Sequence, residues 1–140
     1  MAPSPKGHEG ALWRFYPAGE DLPFISVDAD NQVTPDDAKH IKKWLKSKDP
    51  FYIRFYEGYF VLKMTAGRWG SRCNAIPDIK ERINKYCDHW FGFDEAFLNK
   101  EIWPLLQEYG YYSAPMPIGG YALNVTVLGI LISFIYFLML

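Results

Sequence analysis

A chain of 140 residues that sets 15 basic against 16 acidic side chains, for a net charge of −1, has room for one small domain. That length excludes a large enzyme core, and the charge balance gives no bulk charge for binding nucleic acid. Two cysteines, Cys73 and Cys87, are too few for a disulfide scaffold and lack the paired spacing of a zinc site.

Residues 1–33 carry Pro3, Pro5, Pro17 and Pro23 with Gly7, Gly10 and Gly19, a composition that resists regular structure and predicts an extended arm. Its start has neither the apolar core of a secretory signal nor the Arg-rich pattern of a transit peptide. Leu12, Trp13, Phe15 and Tyr16 would lie across a neighbour or fold back onto the chain's own domain. From Ser26 to Asp37 the sequence resembles a calcium loop of the EF-hand family, with Asp28 and Asp30 at its third and fifth positions. It departs from that pattern at Ser26, Asn31 and Asp37 and has no entering helix, so an Asp/Asn turn leading into a capped helix is the expectation.

Thr34-Pro35-Asp36-Asp37 is a helix start: a capping hydroxyl, a proline suited to the first turn, and two carboxylates facing the positive end of the dipole. The helix predicted over 35–47 sets Ala38, Ile41, Trp44 and Leu45 on one side. Lys39, Lys42, Lys43, Lys46 and Lys48 fall mostly on the other, a basic face suited to anionic lipid headgroups, an acidic neighbour or plain solvent. Asp49-Pro50 repeats the start, predicting a helix over 50–66; Gly58 and the aromatic, β-branched residues around it leave a hairpin open. A third helix opens at Pro77-Asp78 with Ile79, Ile83, Tyr86, Cys87 and Trp90 on one stripe, and a fourth runs from Asp94 to about Trp103, where Pro104 bends the chain.

Residues 114–120, rich in proline and glycine, read as a linker, and 121–140 contain no charged side chain. Twenty helical residues span the ~30 Å core of a bilayer. Twelve of these are Leu, Ile, Val or Phe, so insertion would gain about 4–7 kcal/mol. Ala122, Thr126, Gly129, Ser133 and Tyr136 form a stripe suited to packing against a second membrane helix.

Catalysis finds no support in the residues. Cys87, His89 and Cys73 match no standard metal spacing, Gly67-Arg-Trp-Gly70 is too short for a phosphate cradle, and no nucleophile has an assignable base, so no cofactor is expected. Aromatic residues make up 18% of the chain, and all five tryptophans precede residue 121, which points to surface covered by a partner, with Trp13, Trp44 and Trp69 as candidate anchors. The expected fold is mainly α: an arm over 1–33, a small helical domain over 34–113, the linker, and one membrane helix.

In layout, this combination resembles the single-span supernumerary subunits of mitochondrial inner-membrane respiratory complexes. The resemblance implies a non-catalytic accessory subunit that packs on other subunits and lipid and supports assembly. An ATP synthase accessory subunit, or a tail-anchored adaptor recruiting soluble partners, are the alternatives.

Overall fold

The chain was analysed as a computed structural model, which describes residues 10–56, 64–86 and 93–116. In chain order come α1 (Gly10–Trp13), a 3-10 turn (Tyr16–Gly19), β1 (Phe24–Val27), α2 (Pro35–Lys46), β2 (Phe51–Tyr56), β3 (Arg68–Ser71), α3 (Ile79–Lys85), α4 (Phe93–Phe97), a π-helical segment (Leu98–Ile102), α5 (Trp103–Tyr109) and β4 (Tyr111–Met116).

The strands form one mixed sheet in the order β1-β3-β2-β4. β3 is antiparallel to β1, with Ser26 opposite Trp69, and to β2, with Ile53 opposite Trp69. β4 runs parallel to β2, from Phe51 opposite Tyr111 to Tyr56 opposite Met116. Helices cover both faces. On one, Phe51, Ile53 and Trp69 join Leu12, Phe15, Ile79, Ile83, Phe97, Leu98, Ile102 and Leu106 in the main core. On the other, α2 lies over Tyr52, Arg54 and Tyr112.

A mainly helical domain is therefore corrected to a three-layer α/β arrangement. Of the helix expected over 50–66, residues 51–56 are instead strand β2, and 57–63, where the hairpin alternative would turn, lie outside the described residues. Phe51, Tyr52, Ile53 and Arg54 are all buried, as in a central strand covered on both faces, and such a strand loses the alternation that would mark it in sequence. The arm is corrected as well. Leu12, Phe15 and Ala18 are buried in the core and Phe24–Val27 is an edge strand, because the Phe15 ring meets Trp69 edge-on at 5.4 Å and stacks with Phe97 at 6.3 Å. Residues 114–116, read as linker, belong to β4. Among the described residues no helix is long and apolar enough to cross a membrane. The span expected at 121–140, with Ala122, Thr126, Gly129, Ser133 and Tyr136, lies outside the described residues.

Pro104 does not end its helix. The chain passes from α4 through the π segment into α5 with right-handed helical backbone at both joins, and the wider π turn precedes the residue that has no N–H to donate. Gly110 then stops α5 with φ at +94°, a conformation that glycine adopts without cost, and turns the chain into β4. Gly70 has a steric role: a Cβ there would strike the Phe24 carbonyl oxygen and the end of Ile25, so its absence lets β1 close on β3.

Candidate functional site

The candidate site sits where α2 crosses the sheet, and α2 is held there at both ends. At its start Thr34 Oγ1 accepts from the Asp37 amide at 3.1 Å, while Asp37 Oδ2 accepts from the Thr34 amide at 2.9 Å, a complete capping box. At its end Arg72, reaching from just beyond β3, donates to the carbonyls of Trp44 at 3.0 Å and Leu45 at 3.1 Å and lays its guanidinium over the Trp44 ring at 5.7 Å. Carbonyls of the last turn are thereby bonded to a cation, which also suits the negative end of the dipole.

Beneath the helix the sheet offers Tyr52 and Arg54, alternate residues of β2 that share a face. The Arg54 side chain is only 3% exposed; its Nη2 donates to Asp36 Oδ2 at 2.7 Å, and its Nε faces Asp37 Oδ1 at 3.6 Å. A buried guanidinium needs such partners, and the hydrogen bond from Arg54 holds the Asp36 carboxyl below its ordinary pKa of 3.8. His40, one turn after Asp36, lies 2.8 Å from the Tyr112 hydroxyl through Nδ1; burial and the neighbouring Arg54 charge push its pKa down, which favours the neutral ring. Tyr52 stacks on Tyr112 with centroids 6.0 Å apart and meets Trp44 at 5.4 Å; burial pushes its phenol up to about 12, so it stays a hydrogen-bond donor at neutral pH.

Beside this cluster a shallow open cleft runs between α2, the loop before it and strands β1 to β3. Its apolar walls come from Ile25, Val27, Val33 and Ile41, and its polar residues include Tyr52, Arg54 and Arg68. The Tyr52 hydroxyl and Arg54 Nη1 are both buried without a hydrogen-bond partner among the described residues.

A second charged cluster joins the start of the chain to α4. Arg14 donates to Asp28 Oδ1 at 2.7 Å and to Asp94 Oδ2 at 3.3 Å. Glu95, next along, is raised to about 7 by burial and by the adjoining Asp94 carboxylate. Gly67 packs so closely on Asp28 that a Cβ would displace that carboxylate.

The residues singled out from sequence scatter across this frame. Trp44 and Trp69 are buried within the chain's own layers and offer no ring to a partner, whereas Trp13 is 48% exposed. Lys39, Lys42, Lys43 and Lys46 all stand exposed on the outer face of α2, opposite the buried Trp44; Leu45, expected on the inner side, is exposed with them. In the stretch resembling a calcium loop, Ser26 is buried in β1 and donates to the Ala66 carbonyl at 2.5 Å, Asp28 binds Arg14, and Asp37 closes the capping box. Cys87 and His89 lie outside the described residues. Tyr52, Arg54, Arg68 and Tyr112 were not singled out. The signal available for them was Arg54 itself, one charge inside the aromatic run Phe-Tyr-Ile-Arg-Phe-Tyr, which needs buried carboxylates nearby.

Fold and site together define a small α/β domain with one capped basic helix beside a largely apolar cleft. No family model matches the chain, and neither a curated protein nor a solved structure matches it.

Proposed function

We propose that this protein is a non-catalytic accessory component of a larger membrane assembly, working by contact with lipid and neighbouring subunits. The observation that carries the reading is the outer face of α2, where Lys39, Lys42, Lys43 and Lys46 stand exposed within eight residues of a chain whose net charge is −1. Each lysine near an anionic membrane surface contributes about 1 kcal/mol, and attachment is stable when such a patch acts with an apolar segment. The uncharged sequence over 121–140 supplies the apolar partner in composition. Trp13 and Leu22, 48% and 74% exposed, add apolar contacts away from α2.

Layout favours a mitochondrial inner-membrane respiratory complex as host, with an ATP synthase next. The test is mild-detergent extraction of native membranes, native-gel separation and mass spectrometry of the bands. Co-migration with one large complex in fixed proportion is the expected result. Migration as a small free species would overturn the accessory-subunit reading and leave an adaptor that binds its partners reversibly.

A further inference from the structure

β1 ends the sheet, and among the described residues only β3 pairs with it. In a four-residue strand bonded along one side, alternate residues aim an N–H and a C=O away from the sheet, so two of each face outward. The strand is held in place by its own fold. The Asn74 amide donates to the Glu20 carbonyl before it, Ser26 Oγ donates to the Ala66 carbonyl, and Arg14 grips Asp28 at its exit. Large apolar side chains stand exposed around it: Leu22 just ahead of the strand, Val27 at its last position and Val33 beyond the following turn. Ile25 and Val27 face the α2 side of the sheet, where Val33 lies close to them.

Charge decides what can pair there. Asp28 has Arg14 and Glu20 has Lys80, but Asp21 and Asp30, both exposed, have no basic partner among the described residues. They flank the strand, one ahead of Phe24 and one past Val27. A second copy lying antiparallel across a two-fold axis, with Phe24 opposite Val27, would set Asp21 opposite Asp30 at both ends, and like charges so placed weaken a strand pair. The same two carboxylates suit a strand with a basic residue at each end. We propose that β1 receives an extended segment of another protein as a fifth strand of the sheet. The segment's alternate residues are β-branched or apolar, covering Ile25, Val27 and Val33, and its ends carry lysine or arginine to meet Asp21 and Asp30. The surface lies wholly within the α/β domain, so it stands or falls independently of the accessory role.

The test uses the full chain in detergent micelles at low salt, with a fluorescent peptide of alternating valine and threonine closed by a lysine at each end, followed by anisotropy. One-to-one saturable binding is expected. Two further peptides, N-methylated on the valine amides or on the threonine amides, separate backbone pairing from side-chain contact. The one whose methyl groups face β1 should bind at least tenfold more weakly, and the other should bind like the parent. Asp21→Lys combined with Asp30→Lys, both at exposed positions, should weaken the lysine-ended peptide about tenfold and favour a glutamate-ended one by as much. No saturable binding, which is the result if the chain's own remaining residues hold the surface, would overturn the proposal, as would equal affinity for all three lysine-ended peptides or a preference unchanged by the charge reversal. Concentration-dependent association of the free chain that the peptide dissolves would overturn it in favour of a second copy.

Discussion

At the residue scale, the same side chain can be read correctly for its chemistry and wrongly for its place. Trp44 and Trp69 are large, apolar and energetically dominant, as their sequence positions suggested, but the partner they bind is the chain itself: Trp69 meets Phe15 and Phe24, and Trp44 meets Tyr52 and Arg72. One sequence records that a ring must be buried, not by which surface. Arg54 was legible only as an anomaly, since its carboxylate partners lie 17 and 18 positions earlier on a different element. Glu95 is a case where local surroundings fix a measurable behaviour. Its carboxyl is raised to about 7 from an ordinary 4.5, so between those pH values the folded protein holds a proton that the unfolded chain has released. Stability should therefore fall as pH rises through that window and level off above 7. With allowance for its partial exposure the loss is on the order of 1–2 kcal/mol. Glu95→Gln should flatten the slope in urea denaturation series run from pH 4.5 to 8.

At the scale of elements, α2 was readable because its signals are local. Cap, proline, acidic first turn and basic last turn all fall within its own residues, and the observed Pro35–Lys46 ends one position short of the expected 35–47. Thr34→Ala removes the hydroxyl of the capping box and should cost about 1 kcal/mol in urea denaturation. The loss should be larger than for Thr65→Ala, whose buried hydroxyl makes no hydrogen bond among the described residues. β2 failed as an element for the opposite reason. Asp49-Pro50 imitates a helix start, but the carbonyls of Pro50 and Asp49 accept from the Arg72 backbone and side chain, contacts that cross more than twenty residues and cannot be seen locally. β1 was hidden by composition: prolines and glycines concealed four residues that pair one for one with the four of β3.

For the whole molecule, length and balance bounded the answer to one small domain, yet they could not supply the sheet, whose pairings join residues far apart in the chain. The basic face of α2 was legible because it needs only helical spacing and survives as exposed lysines. Replacing Lys39, Lys42, Lys43 and Lys46 together by glutamine should weaken binding to vesicles containing anionic lipid at least a hundredfold at low salt, with little change on neutral vesicles, in a flotation assay. Equal losses on both would remove the electrostatic contribution. The parallel pair of β2 and β4 also has a kinetic consequence. Phe51 must find Tyr111, 60 residues away, and this pairing forms only after the intervening strand and helices have been ordered or looped out. The edge of β2 is open until then, and it is flanked by aromatic side chains. The slowest and most association-prone moment in the life of this chain is thus its synthesis, when a buried central strand spends its time as an unprotected one.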